Sequence, residues 1–256
     1  MKYRKISIII PLYNEQRFIN DLIKKVAKAD VLGLEKEIII VNDGSTDKSR
    51  NIMTEQRKNY PNIKLVHLTR NQGKGKAVKE GIKRASGQLI LIQDADLEYD
   101  PQNYKQLIKP FEDNELAVYG SRTLGIKVYK NNYSSLIYYL GGRVLTWYIN
   151  MLFGLNLTDQ PTGYKIIESS LFKRITANSS RNDFSFEVEI SALLSGFGVK
   201  IKEVPIIYKP RSKQDGKKIK FSDFFKAVYV GFYYKFIRNP FLAGIRKERS
   251  KTYSIL

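Results

Sequence analysis

The sequence holds no cysteine. Disulfides and thiolate chemistry are excluded, and the composition suits a reducing cytoplasm. It holds one histidine, His67, set in an apolar strand-like run and read as structural, not as a ligand. No run reaches the roughly 20 predominantly apolar residues that a bilayer span takes. The nearest approach, 133–157, is interrupted by Arg143, Asn150 and several tyrosines. The chain opens Met1-Lys2-Tyr3-Arg4-Lys5 straight into a strand-like run, so no signal segment is expected there. Two glycine-rich signatures are also absent. Gly73-Lys74-Gly75-Lys76 lacks the spacing of a P-loop, and there is no three-glycine dinucleotide fingerprint. Internal repeats and low-complexity segments are missing too.

Acids are scarce, at 25 Asp and Glu against 44 Lys and Arg, a formal charge of +19. Such an excess favours anionic partners: nucleic acid, phosphorylated substrates or an acidic membrane surface. Seventeen tyrosines and thirteen phenylalanines narrow this, because many cluster with basic residues in the C-terminal half. At 256 residues the chain is long enough to bury a real core as one large α/β domain or two small ones.

Apolar, β-branched runs at 6–10, 37–41, 63–68, 89–93 and 116–120 predict five strands. Helical spacing between them predicts helices over 16–29 and 77–85. Strands alternating with helices imply a parallel sheet with right-handed crossovers. Turns at one end of such a sheet converge, which would gather Asp43, Arg70, Lys74, Asp94 and Asp96 around one crevice. The segment 133–157 reads either as an interfacial helix or as an amphipathic helix packed on the sheet. Asp159-Gln160-Pro161-Thr162-Gly163-Tyr164-Lys165 reads as a tight loop, and a helix is expected to end near Gly196. Residues 199–208 read as an edge strand because of Pro205. A basic loop, 211–220, precedes the aromatic, amphipathic stretch 221–237, whose flanking lysines and arginines give it an interfacial composition. The expected division is a catalytic domain over 1–220 and a basic-aromatic helix and tail over 221–256.

The most informative stretch is Leu89-Ile90-Leu91-Ile92-Gln93-Asp94-Ala95-Asp96-Leu97-Glu98. A strand buried on both faces runs into three acids at alternate positions. Open α/β sheets bind ligands at that end of their strands. Crowded carboxylates repel one another unless a cation joins them, and hard oxygen ligands suit Mg²⁺ or Mn²⁺ together with substrate phosphates. The plainer reading is a polar turn that ends a strand.

Six motifs decide between these readings. Pro11-Leu12-Tyr13-Asn14-Glu15, Val41-Asn42-Asp43-Gly44-Ser45-Thr46-Asp47, Gly73-Lys74-Gly75, Asp94-Ala95-Asp96, Gly120-Ser121-Arg122 and Asp159-Gln160-Pro161-Thr162-Gly163 stand in the order seen in family-two inverting glycosyltransferases. The chain resembles most the polyprenyl-phosphate sugar synthases, a group that includes the dolichol-phosphate mannose synthases, over about residues 6–221. The resemblance implies an α/β, GT-A-type nucleotide-binding fold: a mostly parallel central sheet flanked by helices, plus C-terminal amphipathic interfacial helices. It also implies roles. Pro11, Tyr13, Glu15, Val41, Asp43 and Lys74 would hold the nucleotide sugar. Asp94, Ala95, Asp96 and Glu98 would hold its diphosphate through Mg²⁺ or Mn²⁺, with Asp94, Asp96 and Glu98 as the metal ligands. Arg122, Arg211 and Lys218 would meet phosphates, and Arg122 and Arg143 the acceptor phosphate. Asp96, Arg122, Asp159 and Arg211 would carry catalysis. Two departures stand out. Gly142-Arg143 replaces an Arg and a Ser-Arg pair common in the family, and the C-terminal membrane spans of many members have no counterpart in this sequence. Attachment is therefore expected to be peripheral, on the cytoplasmic face of the membrane.

The expected reaction moves a hexose from a donor of the GDP-mannose or UDP-glucose type to a polyprenyl phosphate. A phosphate monoester, with its second pKa at about 6, is already ionised near neutral pH. It needs positioning by cations more than a base. A sugar hydroxyl of an oligosaccharide or surface polysaccharide would need a base, for which Asp159 is the best placed. The Gln/Arg-x-x-Arg-Trp signature of processive synthases is absent, as is the glycine-arginine loop of nucleotidyltransferases. A non-catalytic membrane- or nucleic-acid-binding protein would also fit the charge. No nucleic-acid module is visible, however, and three alternating acids would serve no purpose in such a protein.

Overall fold

The computed structural model describes residues 2–133, 135–211 and 221–238. The basic loop after Arg211, with Lys218, and the tail after Arg238 lie outside the described residues. β1 (Lys5–Leu12), β2 (Glu35–Asn42), β3 (Ile63–His67) and β4 (Leu89–Ile92) run parallel. They are joined by α1 (Ile19–Lys28), α2 (Ser49–Asn59) and α3 (Lys74–Arg84). A short α4 (Tyr104–Ile108) leads to β5 (Ala117–Ser121), α5 (Arg122–Tyr129) and the long α6 (Leu136–Phe153). Then come β6 (Lys165–Glu168), α7 (Ser169–Ala177), α8 (Phe186–Gly196), β7 (Lys202–Pro205) and α9 (Phe221–Phe232). A π-helical turn, Tyr233–Ile237, extends α9.

The seven strands form one sheet in the order β3-β2-β1-β4-β6-β5-β7. β6 is antiparallel to both of its neighbours, so the sheet is mostly and not wholly parallel. This corrects the loop expected through Lys165. That lysine opens β6 and pairs with Ile92, and an antiparallel insert of four residues is too short to carry a periodic signal. The first five expected strands form within a residue or two of the predicted limits. α3 begins three residues earlier than expected, at Lys74.

The alternation of side chains along the strands divides the core in two. Ile9, Ile39, Ile90 and Ile92 face α3, α7 and α8, joined by Ile149 of α6 and Val230 of α9. Ile8, Ile38, Ile40 and Leu91 face the other way, toward α1, Met53 of α2 and α4. Strands covered on both faces read as the continuous apolar runs seen in the sequence. α6 and α9 pack on one another and on α8, but each leaves large apolar residues outside. Leu136, Ile137, Val144, Trp147 and Met151 of α6 are exposed, as are Phe225, Tyr229 and Phe232 of α9. The inner face of α6 packs as the amphipathic-helix reading of 133–157 expects, and its outer face is apolar and exposed.

A polar knot closes the end of the sheet remote from the acids. Glu37 accepts from Ser7 Oγ and Lys64 Nζ, from Ser86 N at 3.0 Å and from Ser86 Oγ at 2.9 Å. Burial pushes the Glu37 carboxyl up, but these donors outweigh it and hold it at about 2 against an ordinary 4.5. With a depressed pKa, its contribution to stability is complete above pH 4.5 and is lost as the pH falls toward 2. Urea unfolding across that window should show the wild type losing stability more steeply than Glu37→Gln. Parallel curves for the two proteins would contradict this account of the knot.

Candidate active site

The parallel strands β1, β2 and β4 end on the same side of the sheet, and their turns are stitched to one another. Asn14, at φ +48°, accepts Thr46 N at 2.8 Å on its side chain and donates its own N–H to Ser45 Oγ at 3.0 Å. Glu15 N donates to Ser49 Oγ at 2.9 Å. The Asp43 carboxylate accepts Gln72 N and Gly73 N, each at 2.8 Å, tying the second turn to the third. Gly44, at φ +69°, lets that turn close: a Cβ there would lie 2.4 Å from the carbonyl carbon of Arg70. Buried Gln93 holds the fourth turn. Its Oε1 accepts Tyr104 and Tyr164 hydroxyls at 2.7 and 2.6 Å, and its Nε2 donates to Asp94 O at 3.0 Å. Leu97 follows in the left-handed region at φ +60°, a conformation that persists only where its surroundings hold it.

These turns wall a cavity of about 570 Å³. Pro11, Tyr13, Glu15, Asp43, Lys74, Asp94, Ala95, Asp96, Glu98, Arg122 and Arg211 all line it. Two expected residues do not. Val41 lies wholly within the core, because its side chain faces α3. Arg70 is exposed outside the cavity, which takes Asn71 from that turn instead.

The charges alternate through the cavity wall. Lys74 Nζ lies 2.6 Å from Asp94 and 2.9 Å from Glu187. Glu187 in turn meets Lys165, which is wholly buried on β6, at 2.5 Å. Burial alone would discharge Lys74, but Asp94 and Glu187 outweigh it and hold the ammonium well above its ordinary pKa. Arg211 reaches Asp96 at 3.0 Å, Glu15 at 3.2 Å and Glu98 at 3.5 Å. Glu98 has a further task, accepting the Tyr208 hydroxyl at 2.6 Å and Arg211 N at 3.1 Å. Of the acids expected to share a metal, Asp94 is thus drawn to Lys74, while Asp96 and Glu98 share Arg211. Among the described residues no three acids or histidines stand as a ready ligand set.

The donor set still suits a hard cation. Burial, then the neighbouring Asp94 and Glu98, push the Asp96 carboxyl up to about 7 despite Arg211. Burial is the largest of these causes, so a cation bound beside the carboxyl would favour its ionised form, and one or two carboxylates with substrate phosphates suffice for Mg²⁺. Asp94 and Asp96 fit that requirement.

A second cavity, about 210 Å³, opens between α6, α9 and the loop 158–161. Arg122, Pro161, Phe184, Glu187 and Tyr208 line both cavities and so form the wall between them. Arg122 is gripped there by buried Asp159. Its N and Nε donate to one carboxylate oxygen at 2.8 Å, and its Nη2 to the other at 2.7 Å. Its guanidinium lies over the Tyr208 ring at 5.3 Å. Glu203 accepts Thr158 N and Asp159 N at 2.6 and 3.0 Å, fixing the turn that presents Asp159. Arg143 lines this second cavity, exposed, with Nη1 3.4 Å from Thr158 O.

Sequence reading missed Glu187, Lys165 and Tyr208. An acid inside the apolar run Phe186–Gly196 was the available signal for Glu187. Lys165 and Tyr208 are brought in by tertiary contacts with nothing local to mark them.

The sequence model of Glycosyl transferase family 2 matches residues 7–176. Among curated proteins, the chain is 28% identical over 215 residues to a dolichol-phosphate mannosyltransferase of Pyrococcus furiosus, covering 83% of this chain and 59% of that protein. It is 28% identical over 233 residues to the dolichyl-phosphate beta-glucosyltransferase ALG5A of Trichomonas vaginalis, covering 86% and 70%. With an undecaprenyl-phosphate 4-deoxy-4-formamido-L-arabinose transferase of Edwardsiella ictaluri the identity is 27% over 214 residues, covering 83% and 62%. The alignments thus span under two thirds of the Pyrococcus and Edwardsiella proteins. Among solved structures, glucosyl-3-phosphoglycerate synthase from Mycobacterium tuberculosis, in complex with Mg²⁺ and UDP, superposes with a TM-score of 0.67 at 16% identity, covering 91% of this chain and 79% of that one. The fold is therefore the GT-A type expected.

Because its carboxyl is held near 7 and not at 3.8, Asp96 contributes stability that is full below pH 3.8 and is lost as the pH rises through 7. Metal-free Asp96→Asn lacks that loss and should gain on the wild type in thermal melts between about pH 4 and pH 8. A variant that melts below the wild type throughout would show that Asp96 balances Arg211 and is not in surplus.

Proposed function

Because the chain belongs to glycosyl transferase family 2, we propose that it moves a hexose, with inversion, from a nucleoside diphosphate sugar of the GDP-mannose or UDP-glucose type to a polyprenyl phosphate at a membrane surface. The larger cavity takes the donor, and the smaller one the head of the acceptor. Asp96 with Asp94 would hold Mg²⁺ or Mn²⁺, which on binding supplies charge neutralisation for the departing nucleoside diphosphate. Lys74 and Arg211 stand beside the diphosphate, and Glu15, Tyr13 and Asp43 beside the nucleoside. The acceptor's phosphate oxygen attacks the anomeric carbon from the face opposite the leaving group. The new bond is a glycosyl phosphate, and the electrons of the broken bond leave with the nucleoside diphosphate.

The observation that carries the choice of acceptor is the pairing of the acids around the second cavity. Asp159 is bound on both oxygens by Arg122, Glu187 lies between Lys74 and Lys165, and Asp223 lies 3.5 Å from Lys226. Every described acid of that wall is already beside a cation, so a hydroxyl acceptor would lack a ready base. A phosphate needs none. It needs Arg122, whose fork suits phosphate oxygens, held at the wall that both substrates share.

The exposed apolar faces of α6 and α9 supply the membrane contact in this reading. No helix of the described residues is long and apolar enough to cross a membrane. Trp147 and Phe236 are 64% and 59% exposed, a placement suited to the headgroup layer. The anionic cytoplasmic leaflet attracts nearby Lys and Arg by about 1 kcal/mol each, and a formal charge of +19 fits that leaflet. Residues 1–220 form the catalytic part, and the segment from 221 onward meets lipid beside α6.

Labelled nucleotide sugars incubated with a short polyprenyl phosphate and Mg²⁺ or Mn²⁺ should yield labelled lipid, while the matching prenyl alcohol yields none. Arg122→Ala should lower kcat/KM by about 10²–10³-fold, the scale of losing one preorganised donor. Transfer to the alcohol, or none to the phosphate with any donor that binds, would refute the acceptor assignment. Flotation with anionic vesicles should recover the wild type and much less of a Trp147→Ser, Phe236→Ser double variant. Equal recovery of the two would move the membrane contact elsewhere.

A further inference from the structure

The segment linking α7 to α8, residues 179–185, is held from two sides at once. On the donor side it presses on the start of α3. Lys76 N donates to Asn182 O at 3.1 Å, and Lys79 Nζ donates to Arg181 O at 2.9 Å. Gly73 and Gly75 are required by this contact. A Cβ on Gly73 would lie 2.5 Å from Asn182 O, and one on Gly75 would lie 2.8 Å from Phe186 Cβ. Lys74, between these glycines, is the residue that enters the donor cavity. On the other side the segment hangs from Glu189 of α8, which in turn meets the α9 end. Buried Glu189 accepts Ser180 N at 2.7 Å, Arg181 N at 3.1 Å, Ser179 Oγ and the hydroxyl of Tyr234, which follows α9 in the π-helical turn. The Arg181 guanidinium lies over the rings of Tyr229 and Tyr233 at 5.7 and 5.6 Å, and Lys226 stands 3.7 Å from Asp183.

We propose that the 179–185 segment is a strut through which α9 sets the position of Lys74. Glu189 and Tyr234 are positioning residues for the diphosphate wall, and the engagement of α9 with an anionic lipid surface and the binding of a nucleoside diphosphate favour one another. The inference rests on the donor-cavity and membrane readings above. The reason is mechanical. Glu189 holds the segment by its backbone N–H groups, so the segment follows the carboxylate. The carboxylate, carried by α8, is linked to the α9 end by the Tyr234 hydroxyl. Tyr229 and Phe232, exposed on the same helix, are the residues that lipid would immobilise. Any ordering of α9 by lipid therefore orders Asn182 and the turn that carries Lys74. By reciprocity, the factor by which lipid improves nucleotide affinity equals the factor by which nucleotide improves lipid affinity.

Calorimetry of UDP and GDP with Mg²⁺, on the full chain with and without vesicles of phosphatidylglycerol and phosphatidylcholine, tests this. For the nucleotide that binds, vesicles should tighten wild-type affinity by about five-fold or more, the lower end of ordinary coupling. Tyr234→Phe should weaken vesicle-free affinity and lose most of the vesicle effect. Tyr148→Phe removes a different α9 hydrogen bond, to Val228 O at 3.2 Å, and should keep both. Melting temperatures of both variants separate a positioning effect from a general loss of stability. The strut is overturned if Tyr234→Phe matches Tyr148→Phe in both affinities, or if nucleotide affinity follows melting temperature alone. It is also overturned if wild-type protein recovered on vesicles binds nucleotide no more tightly. A wild type that binds neither nucleotide overturns the donor-cavity reading along with it. That outcome is distinct from a failure of the strut, in which the wild type binds and the variant equals it.

Discussion

Asp94, Asp96 and Glu98 leave the end of one buried strand within five residues, and their mutual repulsion is the constraint that the rest of the site answers. Asp94 is drawn to Lys74, while Asp96 and Glu98 share Arg211, and Glu98 also accepts the Tyr208 hydroxyl. The cations come from far apart in sequence, one on α3 and one just beyond β7. The acids therefore tie the first half of the fold to the second. The balance is incomplete, since burial and its acidic neighbours still hold Asp96 near 7. Buried acids with a lysine and an arginine beside them suit a divalent cation carried in with a diphosphate.

The parallel half of the fold was legible because its strands are covered on both faces. Buried strands are written as unbroken runs such as Ile38-Ile39-Ile40-Val41, and acidic or glycine-rich turns mark where they end. The convergence of those turns on one cavity was legible for the same reason: a turn after a buried strand has one place to go. Lys165 and β6 were not. Four residues antiparallel to both neighbours carry no period, and a lysine at their head reads as surface. Its burial is sustained by Glu187, which lies twenty-two residues on, and by the face of Tyr119, 4.7 Å below. Membership of a motif also did not say which face of the strand the Val41 side chain occupies, and it packs in the core.

Gly73 and Gly75 owe their identity to packing. Both glycines are needed because the protein's own 179–186 chain lies against them, and Lys74 between them enters the cavity. The constraint is packing, and its consequence is a cation aimed at the acids.

Arg122 and Asp159 complete the charge balance on the other wall. A buried ion pair often contributes little to stability, because desolvation offsets most of the attraction. This one is better understood through orientation. Three hydrogen bonds to one carboxylate, with Glu203 behind it, leave the guanidinium a single pose at the boundary of the two cavities. Asp159 is an anchor for a cation held at the wall that both cavities share. Under the proposed transfer between two anions, such a cation is fixed before either substrate enters.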